Sequence, residues 1–440
     1  MLKRFIAVAI ILLYCVVVWA DEDEFNTDRL PIGNPQTKYD FCAVKLNKIF
    51  NTSVNVEVSL DQFIQNLQNY RIIMLGESHT SEQHHNMQLN IIKGLVESGA
   101  SVCLALEMFN PTQNEVLEKY ISGKITEDEF IDQSNYFNTW GHNYRYYKPI
   151  FNYAVEKKIK IYGVNIEHDY ASKIGRGGIK SLSQEELQKV PKIDTSDVEH
   201  RFYFKVAMQG MDALSPAQFP RMYAAQCLWD AAMGDEAIKV AQENPESIVV
   251  ILVGSGHVAY NLGIGKIIKK RSELPFASVI AIDVPDTVKE SMMMKVKKSL
   301  KKEKKVGKPG PGKGKKMPPM AMMHGRAMDK TPYKIVIKSL ADFLWGVPVQ
   351  KQEKYPSFGF SVEEKNEQGF KIKRVLPETL AEENGIQTGD IMLAVDGKSF
   401  ADMAQLKKYL SFKNWDDDVA FELLRDGEEI EIQFKIEAKE

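Results

Sequence analysis

The chain has 440 residues, 44% of them apolar and 26% charged, with 57 Lys and Arg against 59 Asp and Glu. That length suits two or three domains, and the composition is that of ordinary globular protein. The near-neutral balance gives no basis for a nucleic-acid partner.

Lys3 and Arg4 precede an unbroken apolar run from Phe5 to Ala20, and Asp21-Glu22-Asp23-Glu24 follows. This is the pattern of a secretory signal peptide over residues 1–20, with Val18-Trp19-Ala20 as its cleavage site. An uncleaved anchor is the other reading, but the run falls short of the ~20 residues that a spanning helix needs. Cys15 is a poor lipid-attachment site, because bulky Tyr14 precedes it and apolar residues continue after it. Cleavage leaves Cys42, Cys103 and Cys227, whose scattered spacing is neither a disulfide framework nor a zinc pattern. One disulfide remains open to them, while Cys103, inside an apolar run, reads as a small buried hydrophobe.

Residues 38–288 alternate short apolar runs with longer amphipathic stretches. Ile72 to Leu75, Val102 to Leu106, Lys160 to Val164, Ile248 to Val253 and Ser278 to Ile282 are strand candidates. Between the first two, His85, Leu89, Ile92 and Val96 form one helical stripe over Ser81 to Glu97, and Thr80 with Gln83 fits a capping box. Strands separated by helices predict an α/β fold with a mostly parallel sheet flanked by helices. Residues 289–330 differ in kind. From Lys289 to Lys316 there are 12 Lys against 2 Glu, followed by a Pro- and Met-rich tract ending at His324. Such composition buries no core and is expected to form an insert or linker. Its Lys run could meet an anionic surface, and its Met/His cluster could take copper(I), which prefers thioethers. Order resumes over 331–346 as a final segment of the first domain, with Lys334 to Ile337 as a strand. Residues 356–437, five strand-like pieces around two short helical stretches, read as a separate small α+β domain.

The chemistry gathers where the strands end. Gly76-Glu77-Ser78-His79 follows the first strand, Glu107 the second, Asn165, Glu167 and His168 the third, and Gly254-Ser255-Gly256-His257 the fourth. In an open parallel sheet these carboxyl ends share one edge, where ligand crevices form. Glu77, His79, Glu107 and His257 are therefore expected to converge. Carboxylates beside imidazoles suit a divalent metal or an acid–base set that activates water; capping of local backbone is the bland alternative. His85 faces inward from its helix, His84 is expected at the surface, and Gln88, Asn165, Gln226 and Asp230 are candidates to support the pocket. Aromatics crowd "NYFNTWGHNYRYYKPIFNYA", mostly as core. Tyr can ligate haem iron, and Arg145 could pair with carboxylates.

Five segments in order, "LGESHTSEQHHNMQLNIIKGL", "LALEMFNPTQNEVLEKYISG", "WGHNYRYYKPIFNYA", "YAAQCLWDAAMG" and "VGSGHVAYNLGIG", resemble the ChaN-type haem-binding domain. That family sits in a wider group with TIKI-type metalloproteases and erythromycin esterases. The resemblance implies a bacterial protein of the periplasm or outer envelope that binds haem, with haems shared between two protomers and held by Tyr and His. Tyr144, Tyr147, Tyr170 and His257 are the candidates here, and iron uptake or handling is the implied role. In hydrolytic relatives the positions matching Glu77, His79, Glu107 and His257 carry the chemistry, so a metal-dependent peptidase or esterase is the alternative. The tail resembles a PDZ domain, a small partly open barrel. Ser357-Phe358-Gly359-Phe360 matches its carboxylate-binding loop, and "AEENGIQTGDIMLAVDG" matches its middle. Such domains take an extended or C-terminal peptide as an added strand, with Phe358, Gly359 and Phe360 at the binding loop.

Overall fold

The structure is a computed structural model that describes residues 26–208, 215–287 and 331–438. Residues 1–20, expected as a signal peptide, with Cys15 among them, and the Lys- and Met-rich stretch 289–330 lie outside the described residues. No helix among the described residues is long and apolar enough to cross a membrane.

In chain order the strands of the first domain are β1 (Phe41–Lys45), β2 (Ile49–Asn51), β3 (Val56–Val58), β4 (Ile72–Glu77), β5 (Ser101–Leu106), β6 (Ile161–Gly163), β7 (Ser247–Gly254), β8 (Phe276–Val284), β9 (Tyr333–Ile337) and β10 (Phe343–Pro348). Eight of them form one sheet in the order β3-β2-β10-β8-β4-β7-β5-β6. Every neighbouring pair from β10 to β6 is parallel, and β2 and β3 add an antiparallel edge. The Lys334–Ile337 run does form a strand, β9, but it pairs with β1 in a separate two-stranded ribbon. The strand that enters the main sheet is β10, whose Phe343 and Leu344 are buried on opposite faces.

Alternate residues of a strand point to opposite faces, and here both faces are covered. Ile73, Leu75, Leu104, Leu106, Val250 and Leu252 pack into one apolar layer. Ile72, Met74, Cys103, Ala105, Val249 and Ile251 pack into the other. This two-sided burial explains why the strands read as unbroken apolar runs. Cys42, Cys103 and Cys227 are all buried and unpaired, and burial pushes the Cys103 thiol up to about 12.

Three helices carry the site: α1 (Glu82–Glu97), α2 (His168–Gly177) and the long α3 (Phe219–Glu243). The cap of α1 is Ser81, whose side chain accepts the His84 N–H, so the Thr80/Gln83 pattern is one residue out of register. His84 is buried rather than at the surface. Its Nδ1 accepts the Ser78 N–H at 2.9 Å, which pins the turn between β4 and α1.

The second domain is an antiparallel sheet, β11 (Phe360–Val362), β12 (Phe370–Val375), β13 (Ile391–Val395), β14 (Asp418–Arg425) and β15 (Glu428–Lys435), in sequential order. The helix α4 (Met403–Ser411) packs Leu406 into its core. With β11 at one edge, the domain offers a free strand edge beside α4.

Ile251 lies at the centre of β7 with no exposed surface. Ile251→Ala is expected to lower unfolding stability in urea by about 2–5 kcal/mol. Leu187→Ala, on a half-exposed helical turn, should change it by less than about 0.5 kcal/mol.

Candidate functional site

Register places the site. Glu77 is the last residue of β4 and pairs with Gly254 at the end of β7. Glu107 follows β5, on the other side of β7. The carboxyl ends of β4, β7 and β5 therefore bring Glu77, Glu107 and the turn holding His257 to one edge, as the sequence predicts.

Glu77 is buried, with His79 Nδ1 2.8 Å and the Tyr147 hydroxyl 2.5 Å from its Oε1. His85 Nδ1 lies 3.2 Å from its other oxygen. Burial opposes ionisation of Glu77, yet the charges and hydrogen bonds of His85 and His79 outweigh it and hold the carboxyl well below its usual range. Burial likewise pulls His79 and His85 down, but Glu77 turns both shifts upward. Gln88 braces this half: its amide donates to the Leu75 carbonyl at 3.1 Å and its oxygen lies 3.2 Å from His85 Nδ1.

Glu107 forms the second half. Its Oε2 accepts the Gly254 N–H at 2.7 Å, and its Oε1 lies 3.3 Å from His257 Nε2. His257 Nδ1 lies 2.6 Å from Asp230 and 2.9 Å from the Gln226 amide. Gln226 and Asp230 thus share one face of α3 and meet one imidazole. Burial lowers His257, but Asp230 and Glu107 overcome it and push it up to about 10. Asn165 donates to the Glu107 carbonyl at 3.0 Å and fixes the turn after β5. Sequence reasoning missed His200, whose Nε2 lies 3.4 Å from the second oxygen of Asp230. Nothing in its helical stretch distinguishes it from a core residue.

Two glycines leave room. A Cβ on Gly254 would stand 3.0 Å from the His79 ring. In the second domain Gly359 has φ +78° and a Cβ there would collide with Thr379, so the binding loop needs glycine at this position.

Against the two carboxylate–imidazole sets lies a cavity of about 270 Å³, lined by buried Glu107 and His257, by part-exposed His79, Trp140, His142 and Trp229, and by exposed His168. His142 and Trp140 were missed as site residues, since they sit in an aromatic-rich stretch that reads as core. Their rings lie 4.5 and 4.9 Å from that of His79. Burial and the neighbouring His79 lower His142 to about 4, whereas the carboxylates beside His79 raise that imidazole.

The four residues expected as a divalent-metal set do meet at one edge of the sheet. Glu77, His79, Glu107 and His257 pair off as carboxylates with imidazoles, and among the described residues no group of three or more His, Cys, Asp or Glu is arranged to hold a metal ion. For haem, a tetrapyrrole needs an open apolar face and a donor that can reach it. Tyr144 is enclosed in the aromatic core, Tyr147 is buried and spent on Glu77, and both His257 nitrogens are engaged. Tyr170 is part-exposed on α2, two residues after His168, and packs on the same small cluster as Trp229. Of the four haem-ligand candidates, Tyr170 is thus the one that is neither enclosed in the core nor already engaged by the buried carboxylates.

Residues 63–268 match the family model described as "Haem-binding uptake, Tiki superfamily, ChaN", and residues 356–436 match that of the PDZ domain. The chain joins a ChaN-type haem-binding domain to a PDZ domain. A probable periplasmic serine endoprotease DegP-like of Marinomonas sp. (strain MWYL1) is 33% identical over 94 residues, 21% of this chain and 20% of that protein. A probable periplasmic serine protease do/HhoA-like of Haemophilus influenzae (strain ATCC 51907 / DSM 11121 / KW20 / Rd) is 28% identical over 72 residues, 16% of each chain. The chain thus spans a fifth or less of the length of these curated relatives. The solved structure titled "Cofacial heme binding to ChaN of Campylobacter jejuni" aligns with TM-score 0.45 at 18% identity, covering 66% of this chain and 96% of that one.

The ChaN-type domain's polar network has a definite pH signature. Carboxyls lowered from 4.5 stabilise the fold fully above that value and lose their contribution as pH falls through the lowered pKa. His257, raised from 6.5 to about 10, contributes fully below 6.5 and loses its contribution as pH rises toward 10. The network's contribution is therefore expected to be greatest between pH 4.5 and 6.5. Asp230→Asn should lower the His257 midpoint in an NMR titration and bring the alkaline fall in melting temperature to lower pH. An unmoved midpoint would show that Asp230 does not set it.

Proposed function

We propose that this chain is an envelope haem-binding protein, acting in haem or iron handling, whose PDZ domain recruits a peptide-bearing partner. The observation that carries the reading is the lining of the crevice in the domain matched to the haem-binding family. There His142 and His168 offer nitrogen donors in one cavity with Trp140 and Trp229, and Tyr170 follows His168 on α2, packed on the same small apolar cluster as Trp229. Tyr170 and His168 would hold the iron, and the indoles would cover the ring. Haem so held is iron in a chelated, redox-active form. The residues of this chain would bind it, orient it and shield one face from water. Secretion by the leader segment and a paired arrangement of two protomers belong to the same proposal.

Haem added to the purified full chain should produce a shifted Soret band. Tyr170→Phe combined with His168→Ala should weaken binding at least tenfold, with melting temperature unchanged. A wild-type chain that leaves the haem spectrum unaltered would overturn the reading.

A second reading is favoured by one feature, the pairing of each carboxylate with an imidazole under a cavity. A peptidase or esterase could use His79, held by Glu77, to move a proton, with His257 and Glu107 fixing the opposite wall. Proton transfer by a positioned side chain contributes typically 10²–10⁴-fold. In a screen of peptide and ester substrates, His79→Ala should therefore cut any turnover by about that factor. Turnover that survives the change at full rate would place hydrolysis elsewhere.

A further inference from the structure

The PDZ groove and the crevice are next-door cavities with a common wall. A cavity of about 570 Å³ runs between the β11 edge and α4, lined by Phe358, Phe360, Met403 and Leu410. Its opposite side is not PDZ domain at all. Trp140, His142 and Tyr146 of the ChaN-type domain close it. Trp140 and His142 also line the crevice with His79, Glu107 and His257. Their rings stand 5.3 Å apart, and the His79 ring lies within 5 Å of each. The partition between the two cavities is one layer of rings.

The juxtaposition is held by directional contacts on both sides of that wall. Asn143 donates to the Ser411 carbonyl at 2.7 Å, at the carboxyl end of α4. Arg145 donates to Asn414 and to the Lys413 carbonyl, and its guanidinium lies 3.8 Å over the Tyr355 ring. Lys408 reaches Asp128 and Asp132, each at 2.7 Å. On the crevice side, Gln350 accepts the Glu82 N–H at 2.7 Å and donates to the Thr80 carbonyl at 2.8 Å. The PDZ domain is thus tied to the segment immediately following His142 and to Asp128 and Asp132, while the stretch leading into it is tied to the segment after His79.

Orientation follows from the same contacts. The carboxylate-binding loop starts at Ser357, just after Tyr355, and the carboxyl end of α4 is at Ser411; both ends abut the Trp140–Asn143 loop. A peptide added to the β11 edge, with its terminus seated at Phe358 to Phe360, would place its last residue against that loop.

We infer that the peptide site is composite: a peptide with a free C-terminal carboxylate and an apolar last residue binds between the PDZ loop and the Trp140–His142 wall, and its binding is transmitted to the His79 side of that wall. The apolar lining of Phe358, Phe360, Met403 and Leu410 sets the last side chain. The wall adds a contact surface that the PDZ fold alone does not possess. Because each side of the wall rests on the other, occupancy of groove and crevice is reciprocally coupled. The inference stands on the contacts alone and holds whichever ligand the crevice takes.

The test uses the full chain. Peptides with free C termini are selected from a random decapeptide library, and the tightest is measured by fluorescence anisotropy. Its C-terminal amide should bind much more weakly. Trp140→Ala and His142→Asn should each weaken the free-acid peptide about fivefold or more, a coupling of ordinary size. His142→Asn guards against misfolding in the tryptophan variant, and melting curves are recorded for both. In the wild type, saturating peptide should shift the imidazole NMR signals of His142 and His79 with the same midpoint as anisotropy, while that of His200 stays in place. Failure to select any free-acid peptide overturns the composite site. So do equal affinities for wild type and both folded variants, or peptide binding that leaves the His79 signal unmoved.

Discussion

Two carboxylates are buried at the carboxyl edge of a parallel sheet, and the rest of the site is arranged around the need to neutralise them. A buried, unpaired carboxylate costs several kcal/mol. Glu77 and Glu107 avoid that cost through His79, His85 and His257, each drawn from a different turn or helix. Those imidazoles need holding in turn, which Gln88, Asp230 and Gln226 supply. Tyr147 adds a donor to Glu77 from the aromatic layer. One polar set therefore runs from the sheet to the helix on one face and the other set to the helix on the opposite face, and loss of one partner leaves a buried charge uncompensated.

This closed pairing has a functional consequence. Groups that satisfy one another in the crevice hold each other's geometry: Glu77 fixes the His79 ring through Nδ1, and Glu107 and Asp230 fix that of His257. His142, His168 and the two tryptophans line the same crevice outside those pairs, and of them His168 is exposed. The pairs supply charge and proton-bearing groups in fixed positions, and the residues outside them supply a surface for a larger ligand. The PDZ domain is docked against that surface, so its groove is next to the crevice and not at the end of a free tether.

Much of this was legible beforehand. The unbroken apolar runs marked the strands because a parallel sheet covered on both faces leaves no polar alternation. Glu77, His79, Glu107 and His257 stood out because each follows such a run. His84 did not, since its exposure depended on a turn that folds its ring back onto the Ser78 amide. Tyr144 and Tyr147 stood out as candidate ligands, but their burial did not, since it is set by packing against residues far away in the chain. The edge strands β2 and β3 are three residues each, too short to leave a periodic signal. The pairing of β9 with β1 joins opposite ends of the first domain, which no local pattern can specify.

The sequence by itself determined the two kinds of domain, the core strands β4 to β8 with the helix that follows β4, and the edge on which acidic and imidazole side chains collect. It could do so because strand periodicity and the placement of strand-end loops are local properties. Tertiary structure alone decided which imidazole neutralises which carboxylate, which aromatic rings reach the crevice, and that Trp140 and His142 face two cavities at once. Those outcomes depend on distances between segments brought together only when the sheet, its covering helices and the PDZ domain pack against one another.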